Sequence, residues 1–300
     1  MKALITGASG FVATELAAQL SRAGHQCIGL SRSSRPPARP EHFAQVLAFE
    51  PDRLAEQLAE QLATLQPDLV FHTATRFVAE HQAQDVQPVL EANVLFGCQL
   101  LEAMRQAGLR RLVNCSSHWV HFEGAAPRPS NFYALSKQMF ENALDYYGDA
   151  FGIGSTTLIL GDSYGPADPR GKLVSALIDA AHSGRELALS PGQQRLSLTH
   201  VRDVAAALQV AGERQLQASE PLREQFTVSG ELIRLVDLIE AVQAVTGRPL
   251  HAKLGARPYR FREVMQPSLH AAPPLPGWQA SIPLRDGLRE LAAPTQAPAP

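Results

Sequence analysis

The feature that most constrains this chain is a repeated alternation of short apolar runs with segments that carry apolar residues at helical spacing. Strands are expected at Lys2–Thr6, Gln26–Leu30, Gln45–Phe49, Leu69–His72, Arg111–Cys115 and Thr156–Leu160. Helices are expected between them at Val12–Arg22, Arg53–Leu65, Val86–Ala107 and Tyr133–Tyr147. Strands that are apolar along nearly their whole length need cover on both faces, and strand–helix alternation supplies it. The expected fold is α/β, a doubly wound parallel sheet. In such sheets ligands bind beyond the carboxyl ends of the strands. The segments of interest are therefore Gly7–Gly10, Ser31–Arg35, Thr73–Arg76, Ser116–His121 and Gly161–Pro166.

The pattern changes after about residue 160, where turn residues cluster at Gly161–Gly171. Helices follow at Leu173–Ser183, Val204–Gln209 and Leu235–Val245, and the closing "APTQAPAP" has too little apolar surface to fold. At 300 residues, 45% of them apolar and 19% charged, the chain has the composition of a soluble globular protein of one or two joined domains. The net charge of −2 and the lack of a basic block argue against nucleic acid as a partner. No apolar run approaches the roughly 18 residues of a membrane span, and Gly7, Gly10 and Glu15 interrupt any secretory signal. Cys27, Cys98 and Cys115 are odd in number, far apart and in apolar surroundings, which suits buried thiols in a reducing cytoplasm. His72, His118, His121 and His200 lack metal spacing, so no metal is expected. Leu54, Leu58, Leu62 and Leu65 read as the core face of one helix, and Asp203 reads as a helix N-cap.

The first strand runs into Gly7-x-x-Gly10-x-x-Ala13 at the head of a helix. Glycine lets backbone N–H groups approach a pyrophosphate, and the helix N-terminus adds partial positive charge. Ala13 is small enough for close packing of helix on strand. Gly7, Ser9, Gly10, Phe11 and Val12 are thus the expected cradle of a dinucleotide. An acidic residue at the end of the second strand would favour NAD. Here Ser31 holds that position and Arg32 follows it, suited to a 2′-phosphate. NADP is expected, with NAD as the alternative and a solvated arginine loop as the competing reading of "SRSSRPPAR".

Tyr133 and Lys137 stand four residues apart at the head of a helix, so they share a face. A nearby ammonium favours phenolate and should lower the tyrosine from its usual value of about 10. Such a phenol can exchange a proton with a carbonyl or alcohol oxygen. A hydroxyl from Ser116 or Ser117, just after the fifth strand, could bond the same oxygen.

These motifs, with "PDLVFHTA", "EANVLFGCQLLEA", "CSSHWV", "YALSK", "DSYGPADPR" and "QQRLSLTHVRDVA", resemble the extended short-chain dehydrogenases/reductases of the NAD-dependent epimerase/dehydratase family, which modify nucleotide sugars. The likeness covers nearly the whole chain. It implies a Rossmann-type sheet with a smaller C-terminal substrate-binding domain. Residues 1–160 and part of about 195–230 would bind the dinucleotide, about 161–194 and 231–290 the substrate, and 291–300 would form a disordered tail. By the same likeness Tyr133 is the acid/base, Lys137 its electrostatic helper and ribose anchor, Ser117 the catalytic hydroxyl, and Asn93 a support for the lysine and a water. Ala74 would lie against the cofactor. Arg195 would pair with the substrate diphosphate, with Arg260 or Arg262 adding a second phosphate contact. A homodimer through the helices at 86–107 and 133–147 is implied too.

Departures from the family pattern narrow the reaction. Dehydratases of the family carry Asp-Glu after the catalytic hydroxyl, where this chain has His118-Trp119, so dehydration is not expected. His121 replaces a tyrosine, Asp162 replaces an asparagine, and the stretch from Ser117 to Tyr133 is short. His118 and Asp162 are accordingly expected to touch the sugar. A narrower likeness, to nucleotide-4-ketosugar reductases related to CDP-paratose synthase, implies reduction of a nucleotide-linked 4-keto-deoxysugar. The alternatives are a nucleotide-sugar 4-epimerase with tightly bound NAD, and an NADP-sensing binding protein without catalysis.

Overall fold

A computed structural model describes residues 1–32, 35–49 and 54–293, without the side chains of 54–56. Ser33 and Ser34 of the arginine loop, the expected helix start at Arg53, the side chain of Leu54 and residues 294–300 of the expected tail lie outside the described residues.

Seven parallel strands form the main sheet: β1 (Lys2–Thr6), β2 (Gln26–Arg32), β3 (Gln45–Phe49), β4 (Leu69–His72), β5 (Arg111–Ser117), β6 (Gly154–Leu160) and, late in the chain, β10 (Arg223–Val228). Their order is β10-β6-β5-β4-β1-β2-β3, which puts the topological switch between β1 and β4. Both faces are covered, as the apolar strands require. One face packs on α1 (Phe11–Arg22) and α7 (Val201–Gln217), through Leu16, Ala17, Leu20, Val204, Leu208 and Ala211. The other packs on α2 (Leu54–Leu65), α4 (Phe96–Gln106) and α5 (Phe132–Phe151), through Leu58, Leu62, Leu100, Met104, Phe140 and Leu144. Leu65 of the expected stripe is partly buried against that second core.

A separate core lies over α6 (Leu173–Ser183), α8 (Leu235–Thr246) and α9 (Leu284–Ala292). It adjoins a three-stranded sheet in the order β11-β9-β7, formed by β11 (Glu231–Arg234), β9 (Arg195–His200) and β7 (Asp162–Tyr164). β8 (Leu187–Ala188) and β12 (Ala252–Lys253) make a short parallel pair. Thus α7 and β10 return to the main sheet, while β9 belongs to the small one. No helix among the described residues is long and apolar enough to cross a membrane.

Several expectations need correction. The single helix at 86–107 is α3 (Val86–Leu90), a π turn at Glu91–Leu95, then α4. The wide turn re-aims side chains and leaves Asn93 buried. The helix expected at Val204–Gln209 extends over Val201–Gln217, and its N-cap is His200, whose ring accepts the Arg202 N–H at 3.3 Å. Asp203 is therefore not the cap. It lies inside the first turn, buried, and accepts from Ser281 Oγ at 2.7 Å and Ile282 N–H at 3.0 Å, which ties the C-terminal segment to α7. Leu291 and Ala292, the first residues of the expected tail, instead complete α9. Finally, Cys98 is half-buried, unlike the buried Cys27 and Cys115; all three are free thiols.

Candidate active site

At the end of β1 the chain turns at Gly7 with φ +66, a conformation that strains any residue with a Cβ. A Cβ on Gly7 would also lie 2.7 Å from the Ala74 Cα. The two loops meet this closely because Thr6 joins them. Its Oγ1 accepts the Ala74 N–H at 3.2 Å and lies 3.0 Å from Nδ1 of the buried His72. Thr73 Oγ1 donates to the Thr6 carbonyl at 2.7 Å. Gly10 closes the turn on the Gly7 carbonyl at 2.7 Å and caps α1. Side chains are absent where a pyrophosphate would need backbone N–H groups, and the α1 N-terminus opens there. Ser9 and Phe11 flank it, both half-buried, while Val12 reaches the neighbouring cleft.

The end of β2 is equally informative. Ser31 is buried and its Oγ has no hydrogen-bond partner among the described residues, whereas Arg32 is exposed. A turn opened by Gly7 and Gly10 after β1 and an orphaned hydroxyl on β2 fit a dinucleotide, whose ribose Ser31 would meet with Arg32 beside it.

The cleft next to this cradle is lined by Val12, Thr73, Thr75, Phe77, Ser117, Trp119, Tyr133, Lys137, Asp162, Arg170 and Lys172, among others. It lies beyond the carboxyl ends of β4, β5 and β6. The strands end differently from expectation only in length: β5 runs on through Ser116 and Ser117. Period-two alternation sends those two hydroxyls opposite ways. Ser116 Oγ donates to the buried end of Glu141. Ser117 Oγ accepts the Trp119 N–H at 3.2 Å, which leaves its own proton free for a ligand oxygen.

Tyr133 enters from the first turn of α5, which Asn131 caps by accepting the Ala134 N–H at 2.9 Å. Phe77 stands edge-on to its ring, with centroids 5.1 Å apart, and Trp119 stands 6.4 Å away. Lys137 is buried one turn on. Its Nζ donates to the Cys115 carbonyl at 3.0 Å and lies 5.9 Å from the Tyr133 ring centroid. The expectation that Lys137 lowers the phenol is corrected here. Burial is the largest influence and pushes Tyr133 well above its usual range, with a hydrogen bond to Thr75 only partly opposing it. The same burial lowers Lys137, held partly in check by Cys115 and Glu141.

Asn93 makes its hydrogen bonds to groups other than Lys137. Its Oδ1 accepts from Arg76 N–H at 2.7 Å and Thr75 Oγ1 at 3.2 Å, and its Nδ2 donates to Arg76 O at 3.0 Å and Ser136 Oγ at 2.9 Å. It fastens the loop after β4 to α5, and so positions Thr75 beside Tyr133. His118 is buried with Nδ1 3.2 Å from the Leu160 carbonyl, and burial lowers its pKa while Asp162 opposes the shift. His121 holds the Ala125 carbonyl at 2.7 Å.

The structure thus gathers Val12, Ser117, Tyr133, Lys137 and Asp162 in one cleft. Arg195 and Arg260 are not among its lining. Arg195 is exposed at the start of β9, and Arg260 pairs with Glu80 at 3.6 Å in an adjoining cleft that shares Trp119. Arg262 packs over Phe122 at 4.6 Å. Sequence reasoning missed Phe77 and Lys172, and gave no role to Thr75, inside the flagged segment Thr73–Arg76, or to Arg170, the last residue of "DSYGPADPR". Phe77 is one residue past the loop flagged after β4, and Lys172 follows the Gly-Pro turn without any motif spacing to mark it.

A parallel sheet in this order, a glycine cradle at its switch point and a tyrosine–lysine–serine cleft beside it define a dinucleotide-dependent enzyme of the extended short-chain dehydrogenase/reductase type. The sequence profile of the NAD dependent epimerase/dehydratase family matches residues 3–222, and the chain belongs to that family. It is 28% identical to a CDP-abequose synthase of Yersinia pseudotuberculosis, over 89% of this chain and 92% of the relative. A dTDP-4-dehydro-6-deoxy-D-allose reductase of a Streptomyces species is 26% identical, over 84% of this chain and 83% of the relative. Among solved structures, the UDP-glucose 4-epimerase of Thermus thermophilus in complex with NAD superposes with a TM-score of 0.78 at 25% identity, covering 97% of this chain and 98% of that one.

Proposed function

We propose that the protein reduces a 4-keto-deoxysugar carried on a nucleoside diphosphate, with NADPH as hydride source. One observation carries this reading: Ser117, Tyr133 and Lys137 line one cleft, where a hydroxyl, a phenol and an ammonium can act together on a carbonyl oxygen. A dinucleotide held at the Gly7–Gly10 turn, with Ser31 and Arg32 at its ribose, would supply the hydride for sugar carbon 4. Tyr133 gives its proton to oxygen 4, so that the ketone becomes an alcohol. Ser117 donates to the same oxygen and orients it. Lys137, held by the Cys115 carbonyl, sets a positive charge near the phenolate that results. Phe77 and Trp119 keep water from the phenol.

Ser31 and Arg32, in place of an acidic residue, support NADP over NAD. The likeness to a relative named as a 4-dehydro-deoxysugar reductase supports the reductive direction. In this reading 1–160 with part of 195–230 holds the dinucleotide, while 161–194 and 231–290 hold the sugar nucleotide, with Arg195 and Arg260 on its phosphates. Leu95, Met139, Tyr146 and Phe151 are large apolar side chains exposed on the π turn and on α5, which supports a homodimer through that face. The free thiols suit the reducing cytoplasm.

The test is to incubate purified protein with NADPH and dTDP-4-keto-6-deoxyglucose, and separately with UDP-glucose. Oxidation of NADPH in step with loss of the ketone is expected. Tightly bound NAD, with UDP-glucose interconverted and no net cofactor consumed, would establish the epimerase instead.

A further inference from the structure

Lys172 lies just ahead of α6 and lines the catalytic cleft. Its ammonium sits 4.6 Å from the centroid of Phe77, and among the described residues it makes no ion pair and no hydrogen bond. A half-buried lysine without a counter-ion is unusual, because desolvating an ammonium costs free energy that a partner normally returns. Its neighbour Arg170 is fully engaged, bonded to both oxygens of Asp168 at 2.6 Å and to the Ser163 carbonyl at 3.1 Å. Asp162 faces the same cleft. Its carboxylate too has no hydrogen bond or ion pair among the described residues, although its charge is felt by Lys172, His118 and Tyr133. A donor and an acceptor therefore share a cleft wall and stay out of each other's reach.

Building on the nucleotide-sugar reading, we propose that Lys172 and Asp162 together read the hydroxyl-bearing edge of the sugar and select a neutral pyranose over a uronate. A hydroxyl both donates and accepts, so adjacent ring substituents can satisfy the ammonium and the carboxylate at once. The apolar face of a pyranose suits the Phe77 ring beside Lys172. A uronate carboxylate would attract the lysine but meet the like charge of Asp162.

The experiment titrates the NADP⁺-loaded protein with UDP-, CDP- and dTDP-glucose and with the matching nucleoside diphosphates, following binding by isothermal titration calorimetry. Lys172→Gln should weaken the best nucleotide glucose about ten- to a hundredfold and leave its nucleoside diphosphate within about twofold. Wild type should prefer UDP-glucose to UDP-glucuronic acid, and Asp162→Asn should shrink that preference about tenfold. Equal weakening of the nucleoside diphosphate would assign Lys172 to the phosphates, and unchanged affinities in both variants would remove its role; either result overturns the proposal. If neither the nucleotide glucoses, nor dTDP-4-keto-6-deoxyglucose, nor any nucleoside diphosphate binds wild type, the nucleotide-sugar reading itself falls, and that outcome is read without any variant. Thermal melting and NADP⁺ affinity of each variant identify a folding defect, and Lys172→Arg, which keeps the charge, should then restore the sugar's share of the affinity.

Discussion

The two ends of the active site are built from different materials. On the proposed reading the working groups at the dinucleotide end are backbone N–H donors, exposed by Gly7 and Gly10 and fixed by Thr6, Thr73 and Ala74. At the sugar end they would be side chains carried on four elements: Ser117 on β5, Tyr133 and Lys137 on α5, Asp162 on β7, and Lys172 ahead of α6. A backbone site tolerates side-chain change that leaves the turn intact, and fails when a Cβ appears. A side-chain site keeps its shape through substitution but loses its chemistry atom by atom.

The largest effect should come from the side-chain end. Tyr133→Phe removes the proton donor while keeping the ring between Phe77 and Trp119, so kcat should fall about 10²- to 10⁴-fold with NADPH affinity unchanged. Near-normal turnover with cofactor bound would sink the mechanism. At the backbone end, Gly7→Ala places a methyl group 2.7 Å from the Ala74 Cα at a positive φ. Urea denaturation should show a loss of about 2–4 kcal/mol, together with loss of cofactor binding. If the variant keeps both, the cradle is not backbone-built.

Arg32→Ala probes the side chain expected to choose between the two dinucleotides. NADPH affinity should fall about tenfold while NADH affinity holds. Equal affinities for the two cofactors in wild type would leave Arg32 without a role in choosing between them.

The gentlest test concerns the pin behind the cradle. Burial holds His72 neutral, with its pKa down at about 3 against 6.5 ordinarily. An unfolded chain takes up a proton below that ordinary value and the folded one does not. Stability is therefore complete above pH 6.5 and falls toward pH 3, by up to about 1.4 kcal/mol per pH unit from this group. His118, His121 and His200 are shifted the same way and add to the slope. Chemical denaturation at about pH 7.5 and about pH 5.5, either side of the ordinary histidine value, should show it, and His72→Gln should flatten it.

Much of the dinucleotide end could be read in advance. A glycine at a fixed interval after an apolar strand has few other uses, and Gly7 and Gly10 mark the cradle within one turn of chain. Tyr133 and Lys137 were equally legible, being local to one helix. Their electrostatics were not, because spacing alone suggested a lowered phenol, whereas the ring cage of Phe77 and Trp119 makes burial win. Asn93 shows the same limit. Its contacts to Arg76 and Ser136 depend on a π turn that leaves no trace in apolar periodicity.

By itself, then, the sequence determined the parallel sheet, the glycine cradle and the tyrosine–lysine pair, because each rests on residues a few positions apart whose geometry the local backbone sets. Only the tertiary structure decided that Asp203 is a buried tether, that Ser116 turns to Glu141 while Ser117 faces the cleft, and that Lys172 lies over Phe77 in the cleft that Asp162 also lines. Those outcomes depend on burial and on contacts between segments far apart in the chain, and neither is written in any single stretch of residues.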